Sequence, residues 1–197
     1  MKKAFAIMLV ATVMSTAAFA EGFLSAGLTV NPNFGGMTDP DLKEITYAGF
    51  GFGAYFDAKY VAVNLGLNIV DSYLDGEKNT VYSPSTYFTI GLLGKYPIAI
   101  GEKFSIAPAV GFEYQVFLSN GLWSRSDYED MGASASDIAE QYDNFVIKVG
   151  ALADFTIVGG LYARAGVLLD IGLPHKDSDP ADTRFGAEIP IGIGYRF

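Results

Sequence analysis

Eight charged residues stand singly within segments that are otherwise apolar or glycine-rich, and they are the most interpretable polar feature of the sequence. They are Lys95, Glu113, Lys148, Asp154, Arg164, Asp170, Glu188 and Arg196. Isolated charges in a low-dielectric interior require partners. Asp154 and Arg164 are equidistant from Gly159, which predicts an ion pair across a hairpin. Glu113 and Lys148 lie at similar distances from the two ends of the longest polar segment, so we expect a second pair there.

The longest polar segment, residues 118–144, is rich in carboxylates. Asp127, Glu129 and Asp130 lie together in it, and carboxylate oxygens are the ligands that Ca²⁺ and Mg²⁺ prefer. Their spacing matches no defined calcium loop, so a solvated surface loop is favoured over a cation site. A second acidic group consists of Asp177, Asp179 and Asp182. We expect no resident metal and no cofactor.

His175 is the only histidine, and Ser178 lies three residues later in a polar stretch between two prolines. A lipid-modifying enzyme would need an oriented serine and histidine, and this stretch orients neither. The sequence therefore predicts no catalytic residues and leaves an enzyme as a distant alternative. Gly49, Gly51 and Gly53 alternate inside a strand-like segment rather than leading into a helix, which argues against a phosphate-binding loop. The excess of acidic residues argues against nucleic acid.

Eight segments, five of which carry the eight charges, alternate strictly between two faces, which is the period of a β-strand. The alternating segments are 23–30, 48–57, 61–69, 86–98, 104–117, 145–155, 161–171 and 185–197. Short links alternate with four long ones, which we place at 31–45, 71–85, 118–144 and 172–184. Eight strands with short turns on one side and long loops on the other predict an antiparallel, up-and-down, membrane-spanning β-barrel. Closure is required because lipid cannot satisfy an open sheet edge.

The N-terminal 20 residues have the pattern of a cleaved signal peptide. Lys2 and Lys3 precede an apolar stretch, and Ala18-Phe19-Ala20 fits signal peptidase. We therefore expect residues 21–197 to form a single barrel domain. Without Lys2 and Lys3, 11 basic residues face 22 acidic ones, and the long loops hold most of the excess negative charge. The absence of cysteine excludes disulfides, so stability must come from the fold itself.

One face of every predicted strand is free of charge, as a surface in contact with lipid requires. Aromatic residues cluster near the strand ends, as expected for the girdles at the two membrane interfaces. The opposite face carries the eight charges together with Leu93, Leu152 and Leu168. Pro108 and Pro190 fall inside predicted strands, where we expect a β-bulge at each.

The inward charges allow two interpretations. They could form a gate or ion path in a narrow channel for ions or small apolar solutes, or a structural network that plugs the interior. An eight-stranded barrel is only wide enough to be filled by side chains, which favours the plug.

The last strand alternates up to Phe197, with Ile191, Ile193 and Tyr195 on the same outward face. This pattern resembles the signal read by the barrel-assembly machinery, and the whole of 21–197 resembles the small OmpA, OmpX and OmpW type of outer-membrane barrel. The resemblance implies a location in the outer membrane of a diderm bacterium, with loops extracellular and termini periplasmic. It also implies outer-membrane lipid and the assembly machinery as partners. We expect a non-enzymatic barrel for surface interaction, adhesion or envelope integrity, with an extracellular ligand or host molecule as a further partner.

Overall fold

The computed structural model describes residues 24–37, 45–74, 76–78, 83–173 and 184–197, and these form an antiparallel β-sheet closed on itself. The strands are β1 (Leu24–Met37), β2 (Ile45–Ala58), β3 (Val61–Leu74), β4 (Glu77–Lys78), β5 (Ser85–Lys95), β6 (Ile98–Ile100), β7 (Phe104–Ser119), β8 (Asn144–Val158), β9 (Leu161–Gly172), β10 (Arg184–Glu188) and β11 (Ile191–Arg196). β5 with β6, and β10 with β11, each form one interrupted strand of the wall, and β4 only pairs with the last two residues of β3. The predicted count of eight barrel strands is confirmed.

Each strand pairs with its neighbours along the chain, and the first pairs with the last. β1 pairs with β2 on one side and with β10 and β11 on the other. The predicted closure between the first and last strands is confirmed, with Ser25 opposite Arg196 and Val30 opposite Ile191. Since every edge is paired, the backbone groups of the wall are satisfied within the sheet, as a lipid environment requires.

Alternation places large apolar side chains outside and small, polar or tyrosine side chains inside. On β2, Phe50, Phe52 and Phe56 are exposed, whereas Tyr55 and Asp57 are buried. The usual distribution of a soluble protein is therefore reversed across the wall, with apolar residues facing outward. This reversal identifies the outer face as the surface that contacts lipid.

Some predicted strand limits are wrong because the sheet extends further at the end of the barrel that carries the long links. β1 continues to Met37 and stays paired with β2 up to Ile45, so most of the predicted first loop is strand. β3 likewise continues to Leu74. Polar residues such as Asn33 end the apolar pattern in the sequence, but backbone pairing continues through them.

The two predicted proline bulges are also wrong. The pairing register is the same on both sides of Pro108, and it is the same on both sides of Pro190. Each proline lacks a donor, but its carbonyl still accepts a hydrogen bond, from Tyr96 N at 3.0 Å and from Gly166 N at 2.9 Å respectively. Each proline therefore interrupts the hydrogen bonding of its strand without the extra residue that a β-bulge would insert. Register shifts occur instead between Thr86 and Tyr87 and near Thr156.

The long connection between β7 and β8 contains two short helices, α1 (Arg125–Asp130) and α2 (Ala135–Tyr142). Each begins with a capping box, in which Ser124 or Ser134 exchanges hydrogen bonds with the aspartate three residues later. Neither helix is long and apolar enough to cross a membrane, nor is any other helix in the described ranges. A solvated loop was expected here, and the structure shows an ordered unit instead.

Candidate functional site

The inward-facing charges form two clusters. We call the end of the barrel with the short connections 59–60, 101–103 and 159–160 the turn end, and the opposite end the loop end. One cluster lies toward the turn end and one toward the loop end.

Arg164 on β9 is the centre of the turn-end cluster. Its Nε donates to Asp154 Oδ1 at 2.8 Å, and one Nη donates to Asp154 Oδ2 at 3.0 Å. This confirms the predicted pair, which is directly opposed across the β8–β9 hairpin. The same Nη also donates to Asp57 on β2. Arg164 and Asp57 are both 4% exposed, and the Asp154 side chain is 13% exposed, so the guanidinium and its two carboxylates are largely buried.

Two more basic residues complete this cluster. Lys95 Nζ lies 2.8 Å from Asp57 Oδ2, and Arg196 lies 3.1 Å from Asp154 Oδ2. Arg196 also donates to Thr156 Oγ1 at 3.0 Å. Each carboxylate therefore joins two cations, and the cluster carries one more positive than negative charge.

Asp57 was not among the eight predicted charges, which are four acidic and four basic residues. It follows Tyr55 on the inward face of β2, so alternation alone could have found it. Its position beside a short turn made it indistinguishable from a solvated turn residue. With Asp57 included, these nine residues are five acidic and four basic, and Arg184 adds a fifth basic group where it lines a cavity at the loop end.

Aromatic rings pack against the guanidinium groups of the turn-end cluster. The Arg164 guanidinium lies 4.3 Å from the ring centre of Tyr55, and that of Arg196 lies 4.5 Å from the ring centre of Tyr162. Both tyrosines are almost fully buried. A Cβ at Gly27 or Gly194 would overlap the Tyr55 hydroxyl, so these glycines make the room that the ring occupies.

Lys148 on β8 is the centre of the loop-end cluster. Its Nζ lies 2.6 Å from Glu188, 3.1 Å from Glu113 and 3.7 Å from Asp170. The predicted Glu113–Lys148 pair is confirmed, although the two residues are diagonal rather than directly opposed. Gln115 donates to Glu113 at 2.9 Å. A single buried ammonium thus faces three carboxylates from three other strands.

An apolar layer lies between the two clusters. On β8, Leu152 stands between Asp154 and Lys148, and on β9, Leu168 stands between Arg164 and Asp170. These leucines form one buried cluster with Leu93, Ala62 and Ala109. A cavity of about 260 Å³ lies at the turn end, and one of about 430 Å³ lies at the loop end.

The loop-end cavity is partly roofed by the connection between β7 and β8. Ile138 of α2 is 1% exposed and packs with Phe117 and Tyr87 of the wall. The Tyr142 ring stacks on Phe117 with ring centres 4.9 Å apart. Asp143 accepts hydrogen bonds from Phe117 N at 2.8 Å and from the Tyr114 hydroxyl at 2.7 Å. These contacts fix the helices to the rim.

The structure does not gather Asp127, Glu129 and Asp130 into a cation site. Asp127 is the capping carboxylate of α1, and its hydrogen bonds from Ser124 lower the pKa of this exposed group. Glu129 lies 3.9 Å from Arg125. Within the described ranges no group of three or more potential protein ligands could hold a metal ion.

Several predictions fall on residues outside the described ranges. They concern the signal peptide (1–20), Phe23, the His175 and Ser178 pair, and the acidic group Asp177, Asp179 and Asp182.

The last strand carries its four predicted signal residues on the outer face. Ile191, Ile193, Tyr195 and Phe197 are all at least half exposed. The Tyr195 and Phe197 rings meet edge to face with centres 5.4 Å apart. Phe197 N donates to Leu24 O at 2.9 Å, which ties the chain end to β1.

The closed wall, its apolar outer face and its polar interior define the class of protein: the chain is a small eight-stranded outer-membrane β-barrel. Aromatic residues mark both ends of the apolar face. Tyr60 and Tyr96 stack near the turn end with ring centres 6.0 Å apart, and Phe112 and Phe145 stack nearer the loop end at 5.5 Å. Such rings occupy the two membrane interfaces.

Solved structures of several outer-membrane barrels are similar to this chain. The N-terminal β-barrel domain of Pseudomonas aeruginosa OprF is 16% identical, with a TM-score of 0.44 over 90% of this chain and 100% of that one. Pseudomonas aeruginosa OprG is 15% identical, with a TM-score of 0.48 over 89% and 96%. Neisserial surface protein A is 10% identical, with a TM-score of 0.47 over 88% and 97%. No family model and no curated protein matches the sequence.

Proposed function

We infer that this protein is a non-enzymatic barrel with a plugged interior, which holds an acidic interaction surface above the outer membrane for adhesion or envelope integrity. In this proposal the loop end is extracellular, and the turn end and the C-terminus are periplasmic. Barrel proteins of this class place short turns in the periplasm and long loops outside.

The three interior layers support the plug. Two ion-pair clusters are separated by apolar side chains, among which Leu93, Leu152 and Leu168 are each at most 4% exposed. Leucines spaced along an open path would favour a channel for apolar solutes. Their burial against Ala62 and Ala109 favours a packed layer instead, since an eight-stranded interior is just wide enough to be filled by side chains.

The single observation that carries the interaction role is the ordered unit formed by α1, α2 and the residues around them. Ile138 and its aromatic neighbours hold this unit against the rim. On its surface, Leu122 is 60% exposed, Trp123 44% and Met131 59%, beside the carboxylates of α1. A fixed support with exposed apolar residues among charges is typical of a protein-binding surface. We call Leu122, Trp123 and Met131 the apolar tip.

The outward face of the last strand supports a role in biogenesis. Alternating exposed residues that end at Phe197 fit recognition by the barrel-assembly machinery, and afterwards the same face contacts outer-membrane lipid.

Replacing two of the three residues of the apolar tip should remove attachment without affecting the barrel. Cells that produce the Leu122→Ser/Trp123→Ser variant should attach to cultured host cells as poorly as cells that lack the protein. Truncation of a central interface tryptophan costs about 2 kcal/mol or more, which corresponds to a loss of about thirtyfold in affinity. The measurement is the number of attached cells at equal surface expression.

The matched control is Glu102→Gln, an exposed change at the turn end, which should attach like the wild type. Detergent sensitivity of the same cells measures envelope integrity separately. If cells without the protein attach and resist detergent as well as the wild type, the proposed function is wrong.

A further inference from the structure

The backbone that carries Leu122 and Trp123 is held in a fixed turn by Asn120, which is 8% exposed. Its Oδ1 accepts hydrogen bonds from Leu122 N at 3.2 Å and from Trp123 N at 2.9 Å. Its backbone N donates to Trp123 O at 2.8 Å, and its Nδ2 donates to the Tyr128 hydroxyl at 3.3 Å. Two large apolar side chains are therefore presented to solvent from an ordered support, which lowers the entropy lost on binding.

The apolar tip is small enough to meet one partner. Leu122 and Trp123 come just before α1, and Met131 comes just after it. Because α1 has six residues, its ends are about 9 Å apart. A standard protein interface covers about 800 Å² on each partner, so it accommodates the whole apolar tip. Tryptophan and methionine are enriched in such interfaces, and tryptophan is common among the residues that contribute most to binding.

Every exposed charged side chain in residues 120–143 is acidic. These side chains are Asp127, Glu129, Asp130, Asp137 and Glu140. The only basic residue of this segment, Arg125, is half-buried and paired with the buried Asp143, with Nη1 3.2 Å from Oδ1. Its Nη2 donates to Ala135 O at 3.2 Å. The apolar tip is thus accompanied by five exposed carboxylates and by no exposed basic residue of its own segment.

The sequence of the other long links has the same sign of charge. Segments 31–45, 71–85 and 172–184 each contain more acidic than basic residues. Surfaces of opposite charge attract each other during association, whereas like charges across an interface are costly. A lipid surface that displays phosphate groups, or a sulfated polysaccharide, is therefore disfavoured. A partner with a positive surface is favoured.

We propose that the apolar tip binds a basic protein. Trp123 and its apolar neighbours contact an apolar patch on that protein, and lysine or arginine side chains around the patch face the exposed carboxylates. An apolar centre within a polar, charged rim is the usual anatomy of a protein interface. This inference rests on the proposed interaction role and adds the chemistry of the partner.

Trp123 is the only tryptophan of the chain, so tryptophan fluorescence reports on the apolar tip alone. The test uses the full-length mature barrel in nonionic detergent micelles and three synthetic peptides without tryptophan. The first peptide has four lysines on each side of Leu-Phe-Leu, the second has glutamates instead of the lysines, and the third has three serines instead of Leu-Phe-Leu. The first should move the Trp123 emission to shorter wavelength in a saturable manner. The second and third should bind at least about tenfold more weakly, because they lack the charge or the apolar centre.

Variants at exposed positions localise the interaction without removing the Trp123 signal. Glu129→Gln combined with Asp130→Asn removes two charges of α1 and leaves its capping carboxylate in place, so the first peptide should bind about threefold to tenfold more weakly. Leu122→Ser should weaken binding at least about threefold, because an apolar contact is lost. Glu102→Gln removes one exposed charge at the turn end and should bind this peptide like the wild type.

The proposal is overturned if the lysine peptide gives no saturable shift, or if the glutamate peptide binds as well. It is also overturned if the Glu129→Gln/Asp130→Asn variant binds the lysine peptide like the wild type. Vesicles of phosphatidylglycerol that shift the Trp123 emission, where the lysine peptide does not, would assign the apolar tip to a membrane surface. Cells that need the apolar tip for attachment, although their barrel ignores the lysine peptide, would keep the proposed function and reject the basic partner.

Discussion

Arg164→Ala should destabilise the barrel more than any substitution on its outer surface. The change leaves each of two buried carboxylates with one basic partner. Asp57 keeps Lys95, and Asp154 keeps Arg196. Loss of one partner from a buried ion pair costs about 3–5 kcal/mol. The measurement is the free energy of unfolding in urea. The fraction of folded barrel at each urea concentration is read from its heat-dependent mobility on gels.

The control for this variant is Lys103→Ala, which removes a positive charge from an exposed position at the same end of the barrel. It should change the free energy of unfolding by less than about 0.5 kcal/mol. Combining Arg164→Met with Asp57→Asn and Asp154→Asn should recover part of the loss, because no buried charge then lacks a partner. An Arg164→Ala barrel as stable as the Lys103→Ala barrel would show that the cluster contributes nothing to stability.

Lys148→Met should be at least as harmful, because it removes the cation that lies within 4 Å of three carboxylates. Glu113, Asp170 and Glu188 then repel one another, with no ammonium between them. We expect a loss of about 3–5 kcal/mol or more, measured by the same unfolding experiment.

Lys95→Met is the matched control for Lys148→Met. Both changes remove an ammonium from the interior, but Asp57 keeps Arg164 when Lys95 is lost. The loss for Lys95→Met should therefore be clearly smaller. Equal losses for the two variants would mean that the arrangement around Lys148 has no special role. Adding Glu188→Gln to Lys148→Met should restore some stability, since it removes one of the repelling charges.

The sequence predicted the wall of this barrel well because alternation reports directly on its two faces. It also predicted the pair Asp154 and Arg164, since a short hairpin fixes which residues oppose each other. The sequence did not predict contacts between strands that are far apart along the chain. Arg164 meets Asp57 across 107 residues of chain, and Lys148 meets Glu188 across 40. Such contacts depend on how far the strands tilt when the barrel closes.

Two further features needed the structure for a different reason. The bulges expected at Pro108 and Pro190 rested on the missing proline donor, whereas the carbonyls of both residues keep the ladder in register. The helices α1 and α2 are too short to show a clear period, although the Ser124 and Ser134 capping boxes were readable in the sequence.

Conductance across a planar lipid bilayer tests the plugged interior most directly. Protein that shows the heat-dependent gel shift of a folded barrel should produce no steady current, because two ion-pair clusters and an apolar layer fill the path. Unfolded protein that lacks the shift serves as the control for leakage. A steady, blockable current through the folded wild-type barrel would contradict the plug and favour a channel.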